Sequence, residues 1–344
     1  MSQPLRIGII GAGNNTRAKH IPGFKAIGGV EVTAVCNRTA KSGEKVAAEF
    51  GIPKVAANWH EIVESPEIDA VCIGTWPNLH AKITVAALRA GKHVLTEARM
   101  ARNMAEAELM LAEAKLHPAL VAQIVPAPMS LPFDATVTDF LASGALGTLR
   151  EVVMISTNGS LVDSALPLNW RQDHTLSGKN TLFLGIYYEM ILRWLQPEPM
   201  SLVASASVFT KERKDAEGLL QPTFMPESLG VLGLYADGCR LVGHFSGVET
   251  TAPRSEIRLN GSKAGLRLDL ARQQLWLAEA GKTERQLEVA LAKRGGWRVE
   301  ADFVDSIREK KPVTLTNFKT GVSYMRFTEA VWESWSNDSV RVTL

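Results

Sequence analysis

Cysteine is scarce in this chain: three in 344 residues, at positions 36, 72 and 239. A disulfide framework needs paired cysteines in a small secreted chain, and a zinc site needs clustered ligands; neither pattern is present, and no metal is expected. Cys36, Cys72 and Cys239 read as reduced, packed thiols. No apolar run approaches the roughly 20 residues that a membrane span requires. Neither sign of charge dominates, since 38 Lys plus Arg stand against 36 Asp plus Glu, for a formal net charge of +2. That balance argues against a protein that coats nucleic acid or an acidic membrane surface. Long polar tracts, internal repeats and low-complexity segments are missing, which excludes a largely disordered chain. The first residues lack the basic and apolar regions of a signal peptide. A soluble, cytoplasmic protein with no membrane or nucleic-acid partner is the expectation.

Apolar residues make up 46% of the chain and charged residues 22%, the composition of a globular protein with a real core. The length predicts about two domains of roughly 150 residues each. Up to position 126, apolar strands alternate with helices: strands at 5–10, 30–35, 68–74, 93–96 and 121–125, helices at 17–26, 41–50, 81–90 and 103–115. Strands apolar on both faces, alternating with helices, predict a doubly wound parallel sheet of the Rossmann type in an α/β domain over 1–126. Beyond Pro126 the pattern becomes strand-rich, with strands at 149–157, 202–210, 230–235, 240–248, 256–260, 265–269 and 274–278. Short turns such as Ala236-Asp-Gly238 and Asn260-Gly-Ser262 are hairpin signals. With helices at 133–143, 182–195, 297–310 and 321–336, residues 127–344 read as an α+β domain on a large, mostly antiparallel sheet. The last helix is a candidate to pack back on the N-terminal domain.

The first strand runs into Gly11-Ala-Gly13-Asn14-Asn15-Thr16, a dinucleotide fingerprint with its third glycine replaced. Gly11 permits a tight turn, Gly13 lets backbone approach a diphosphate, and the following helix N-terminus offers unpaired amides. Thr16 stands where a glycine allows close helix–strand packing, so a looser contact is expected there. The second strand ends at Cys36-Asn37-Arg38-Thr39. An acidic residue at its end would accept the ribose hydroxyls of NAD, whereas neutral Asn37 followed by Arg38, Thr39 and Lys41 suits a 2′-phosphate. NADP is therefore the expected cofactor, with NAD the alternative.

Further residues carry a resemblance. Ile68-Asp-Ala-Val-Cys-Ile-Gly74-Thr75, His80, Ala90-Gly91-Lys92-His93-Val94-Leu95, Glu97, Trp170-Arg171 and Leu192-Arg193-Trp194-Leu195 follow the glycine-rich turn in order. With these the chain resembles the glucose–fructose oxidoreductase, inositol 2-dehydrogenase and rhizopine-catabolism (Gfo/Idh/MocA) family. The resemblance implies a Rossmann domain followed by an open-sheet domain, a nicotinamide cofactor and a sugar or polyol substrate. It also implies homodimers or homotetramers formed through the C-terminal sheet. Departures from the family pattern bear on the chemistry. Ala98 stands where the family carries a substrate-positioning Lys, and Arg99 where it carries Pro. Phe183 and Tyr187 occupy the positions of the usual Asp and His, Met190 that of a further Asp, and Ile124-Val125 replace an Asn-Arg pair. The family's Thr-Pro-Asn loop is shifted to Thr75-Trp76-Pro77-Asn78.

Hydride transfer from an alcohol needs a proton acceptor, so another group must serve. Tyr187 is one candidate, if Lys179 or Arg171 lowers its pKa. Glu189 interrupts a very apolar helix and is a second; His174 and Lys179 complete the catalytic set. Packing alone is the competing explanation for Tyr187 and Tyr188, and a surface loop position for His174. Arg193 and Trp194 read as scaffold. The expected cofactor contacts are Gly11, Gly13, Asn14, Asn15, Thr16, Asn37, Arg38, Thr39, Thr75, Trp76, Pro77, His80, Glu97, Ala98, Trp170 and Arg171. Trp76, Phe183, Ile124 and Val125 point to a lining less polar than a plain sugar site. Three functions stay open: an NAD(P)-dependent oxidoreductase on a sugar, polyol or cyclic alcohol or ketone; a lyase, hydrolase or epimerase that oxidises its substrate transiently; and a non-catalytic dinucleotide-binding regulator.

Overall fold

The computed structural model describes residues 3–344. The chain forms two compact units. The first runs to Pro126 and is completed by Arg298–Met325; the second holds Ala127–Trp297 and Arg326–Leu344. A single boundary at 126 therefore does not describe the chain.

The first unit opens with β1 (Leu5–Ile10), a π-helical turn (Thr16–His20) and α1 (Ile21–Lys25). There follow β2 (Val30–Cys36), α2 (Ala40–Phe50), β3 (Lys54–Val55), α3 (Trp59–Val63), β4 (Ala70–Ile73), α4 (Pro77–Arg89), β5 (His93–Thr96), α5 (Met104–Leu116) and β6 (Ala122–Ile124). The six strands form one parallel sheet in the order β3-β2-β1-β4-β5-β6. Every residue of β4 is buried, as are Ile7, Ile9 and Ile10 of β1, because helices cover both faces. The β3 strand and α3 escape a periodicity reading, being two and five residues long.

The helix expected over 17–26 is not regular. Pro22 has no N–H to return to the carbonyl four residues back. A wider turn precedes it, closed by the Ile21 amide on Thr16 O, and His20 lies fully buried in this turn.

The second unit contains α6 (Asp134–Ala142), β7 (Leu149–Thr157), α7 (His174–Ser177), α8 (Leu184–Trp194), β8 (Ser201–Ser207), β9 (Glu212–Lys214), β10 (Leu220–Pro222), β11 (Ser228–Leu234), β12 (Arg240–Ser246), β13 (Arg254–Gly261), β14 (Ala264–Asp269), β15 (Gln274–Glu279) and β16 (Arg285–Leu287). The chain closes with α9 (Val299–Glu309), α10 (Phe318–Ser336) and β17 (Val342–Thr343). Nine strands form one sheet in the order β16-β15-β14-β13-β7-β12-β11-β8-β17, antiparallel at every step except β12 against β7. Val152 and Met154 are buried while Val153 and Ile155 are half-buried, the alternation of a sheet covered more fully on one face. The β9–β10 hairpin, β16 and β17 lie outside the strands read from the sequence.

α9 belongs to the first unit because Phe303 packs edge-on against Phe24, ring centroids 6.3 Å apart. The segment after it covers the edge of β6, where the Ile124 amide donates to Thr316 O at 2.9 Å. Among the described residues no helix is long and apolar enough to cross a membrane.

Candidate active site

Parallel sheets of this kind bind ligands beyond the carboxyl ends of their strands. In the first unit, Gly11 takes φ +85°, and a Cβ on it would lie 2.7 Å from the Thr75 amide nitrogen. Gly13 is different: a Cβ there would meet only Gly74 O, at an ordinary 3.7 Å. The turn is thus closed at Gly11 and open at Gly13, a bare backbone cradle that fits a diphosphate. Asn14 and Asn15 are exposed along its rim. Thr16 is buried, and its hydroxyl donates to Gly11 O at 3.2 Å. The looser packing expected at Thr16 is not found. A Cβ on Gly74 would sit 2.1 Å from Thr16 Oγ1, so the missing side chain at 74 supplies the room that Thr16 takes.

Asn37 Oδ1 accepts the Ala12 amide at 2.7 Å, and its Nδ2 donates to Ser42 O at 3.2 Å. The side chain is therefore held within the protein at the β2 end. Thr39 caps α2, accepting the Ser42 amide. Arg38 is exposed and its guanidinium lies 5.4 Å from the Trp76 ring centroid, a cation–π contact between the loops after β2 and β4. Trp76 precedes α4, and Pro77 stands in that helix's first turn.

His80 does not line an open crevice. It is fully buried, with Nδ1 3.0 Å from Arg99 O and Nε2 3.0 Å from Thr75 O, so it braces the loops after β4 and β5. Burial lowers its pKa against the pull of those carbonyls. Thr75 O is thus a structural acceptor, while the Thr75 side chain turns back on Trp76 O.

Glu97 follows β5 and is part of a cluster that the sequence reading missed. Its Oε1 accepts Asn15 Nδ2 at 2.5 Å and lies 3.0 Å from His20 Nε2; Oε2 accepts the Ala98 amide at 3.3 Å. His20 Nδ1 lies 2.5 Å from Glu300 Oε1 of α9. Burial works against the imidazolium, but hydrogen bonds to Glu300 and Glu97 override it and raise the His20 pKa to about 9. Burial would likewise raise the Glu97 carboxyl; His20 and Asn15 reverse that and hold it below the usual range. Glu300 is 280 positions from His20, so no local spacing reveals the pair. Nor does His20 stand out locally, since the turn it ends, Thr16-Arg-Ala-Lys-His20, is itself largely polar.

The second unit carries the other candidates. Tyr187 is buried, its hydroxyl 2.7 Å from Ser255 Oγ and its ring edge-on to Phe245. Its pKa is raised by burial, opposed by hydrogen bonds to Ser255 and Ser156. The lowering cation that a base would need is not among those influences: Lys179 pairs with Glu329, and Arg171 stacks on Trp170 at 4.3 Å. Glu189 is not a free carboxylate either. It pairs with Arg193 at 2.6 Å and accepts the Ala127 amide at 2.9 Å, fixing the start of this unit. Arg193 also reaches Asp134, whose other oxygen accepts Trp194 Nε1 at 2.9 Å, the scaffold role expected of Arg193 and Trp194. Tyr188 stacks on Phe327. His174 opens α7 as an exposed side chain, edge-on to Phe224.

Residues 5–123 match a family model described as an oxidoreductase family with an NAD-binding Rossmann fold, and residues 135–267 match the GFO/IDH/MocA C-terminal domain. The chain is 39% identical over 110 residues to 1,5-anhydro-D-fructose reductase of Ensifer adhaerens, covering 32% of this chain and 33% of that protein. It is 28% identical over 207 residues to dTDP-3,4-didehydro-2,6-dideoxy-alpha-D-glucose 3-reductase of Saccharopolyspora spinosa, covering 60% of each. These alignments span less than two thirds of either relative. A levoglucosan dehydrogenase solved with NADH and L-sorbose shares the fold, with a TM-score of 0.89, 22% identity and 99% of each chain covered.

Proposed function

Because the chain belongs to the Gfo/Idh/MocA family of oxidoreductases, we propose that it transfers hydride between a nicotinamide dinucleotide and a sugar, polyol or related cyclic alcohol or ketone. The observation that carries this reading is the open backbone cradle at Gly13, set at the carboxyl ends of a parallel sheet in the order 3-2-1-4-5-6. When bound, the dinucleotide supplies the hydride donor or acceptor. The residues of this chain bind and orient it and move the substrate proton.

NADP is the proposed form. Asn37 puts no negative charge at the end of β2, and exposed Arg38 offers a cation there, beside Thr39 at the cap of α2. Gly11, Gly13, Asn14 and Asn15 hold the diphosphate, and Trp76, Pro77, Glu97 and Ala98 contribute from the loops after β4 and β5. Thr16, Thr75 and His80 shape those loops from behind. Trp170 and Arg171 remain proposed cofactor contacts on the second unit. Tyr187 and Glu189 are engaged in buried bonds; exposed His174 and the partly exposed Lys179, itself paired with Glu329, are the proposed acid/base groups. Copies of the chain are proposed to pair through the more open face of the nine-stranded sheet.

Calorimetry with NADP+, NADPH, NAD+ and NADH tests the cofactor, and nicotinamide absorbance with a panel of cyclic sugars, anhydrosugars and polyols tests the reaction. Binding tighter for NADP than NAD, with turnover of at least one panel member, is expected. Binding without turnover anywhere in a broad panel would overturn hydride transfer and leave a dinucleotide-binding regulator.

A further inference from the structure

His20 and Glu300 have no part in the reading above, yet they are built into the unit with care for volume and charge. Gly23 lies where a Cβ would come within 2.7 Å of Glu300 Oε2, so its bare backbone makes room for that carboxylate. Glu300 touches one ring nitrogen of His20 and Glu97 the other. Only Glu97 retains some exposure, 17% of its side chain, against 0% for His20 and 4% for Glu300. The sheet order puts Asn37 and Arg38, at β2, on one side of the β1 turn and Glu97, at β5, on the other. A dinucleotide whose adenosine half lies over β2 places its pyridine half on the Glu97 side.

Resting on the dinucleotide reading, we infer that His20 and Glu300 are positioning residues: they keep the Glu97 carboxylate charged and fixed, which tilts binding toward the oxidised, cationic nicotinamide over the reduced, neutral ring. Only an interaction that differs between the two redox forms can tilt that balance, and a nearby fixed carboxylate is such an interaction. Burial pushes this carboxyl toward its protonated form, and His20, with Asn15, is what reverses that push. The groups facing Glu97 are His20 from the π-helical turn, Glu300 from α9, His80 from α4 and Cys72 from β4, with uncharged Asn15 beside them. Burial favours the neutral forms of His80 and Cys72; His80 acts on Glu97 through space alone, whereas His20 acts by charge and by a hydrogen bond and is the larger influence.

The double variant His20→Gln/Glu300→Gln replaces an imidazolium–carboxylate pair by two amides, with no change in net charge, and leaves Glu97 without its cation. Dissociation constants are measured on the full chain between about pH 6.5 and 8.5, by fluorescence for the reduced cofactor and calorimetry for the oxidised. Titration of a 2′-phosphate cancels in the ratio of the two. The ratio of reduced to oxidised Kd is expected to be flat with pH in the wild type. In the double variant it should fall about tenfold toward the acidic end, and in Glu97→Gln it should be about tenfold below wild type at every pH. A wild-type ratio in either variant at every pH overturns the inference. Should the double variant not fold, His20→Gln alone takes its place in the same measurement. Failure of the wild type to bind either redox form would instead overturn the dinucleotide reading itself.

Discussion

Asn37 Oδ1 accepts the Ala12 amide at 2.7 Å, which ties the end of β2 to the middle of the Gly11–Gly13 turn. The residue proposed to set cofactor choice by its charge is thus also a brace for the Gly11–Gly13 turn. Asn37→Asp keeps an acceptor for that amide while adding a negative charge where the 2′-phosphate is proposed to lie. NADP affinity should fall about tenfold with NAD affinity held or improved. Arg38→Ala should weaken NADP alone. Calorimetry on both variants checks this, and equal losses for the two cofactors would count against a 2′-phosphate at this position.

Gly74 and Thr16 form a complementary pair, and Gly74→Ala tests it. The new Cβ would meet Thr16 Oγ1 at 2.1 Å and Gly11 O at 2.3 Å. A loss of about 1–3 kcal/mol is expected in urea unfolding. Adding Thr16→Ala removes only the side-chain obstacle. The backbone carbonyl of Gly11 remains, so the double variant should recover little; full recovery would show that the hydroxyl alone sets the limit.

The sequence carried the architecture well because it is written in local pattern. Apolar runs such as Ala70–Ile73, entirely buried, and the Gly11–Gly13 turn after β1 are legible without neighbours. What was not legible depends on partners far away in the chain. Glu189 interrupts an apolar helix whether it serves catalysis or pairs with Arg193, and only the Ala127 amide and the ion pair distinguish these. His20 and Glu300, 280 residues apart, share one hydrogen bond that no periodicity encodes. Thr16 looked like a packing defect because its compensation, Gly74, lies on another strand end.

Across β11, β12 and β7, Leu232 stands opposite Val242, and Val242 opposite Val153, so the three side chains form one row. Leu232 is 49% exposed, a large apolar side chain in mid-strand. If copies pair through this face, Leu232→Asp introduces a charge into the contact. Analytical ultracentrifugation should show a dimer or tetramer for the wild type and a smaller species for the variant. A monomeric wild type, or an unaltered assembly in the variant, would rule out this face.

Arg213 is fully buried, pairing with Glu227 at 3.0 Å and donating to the carbonyls of Leu161, Asp163 and Leu166. It pins the loop after β7 to the β9 strand. Arg213→Met leaves the Glu227 carboxylate, 2% exposed, with the Phe209 and Thr210 amides but no cation, removes the donor to three carbonyls, and should cost about 3–5 kcal/mol. Adding Glu227→Gln should restore part of that loss, because the uncompensated charge is gone. Denaturant unfolding gives the energies, and limited proteolysis should show faster cleavage between positions 161 and 168 in the single variant.

The His20 cluster also predicts how stability depends on pH. The folded-state pKa of His20 is raised to about 9 from an ordinary 6.5. A raised histidine pKa means that the folded state binds the proton more tightly than the unfolded chain. Its contribution is therefore complete below about pH 6.5 and is lost as pH climbs through about 9. Unfolding free energy should fall by a few kcal/mol between pH 6 and pH 10 through this group. His20→Gln should be less stable at pH 6 and should show a flatter alkaline limb, because the titrating group is absent. Parallel alkaline limbs for wild type and variant would mean that His20 is neutral in the folded protein, and that one of the two glutamates carries the proton it shares with the ring.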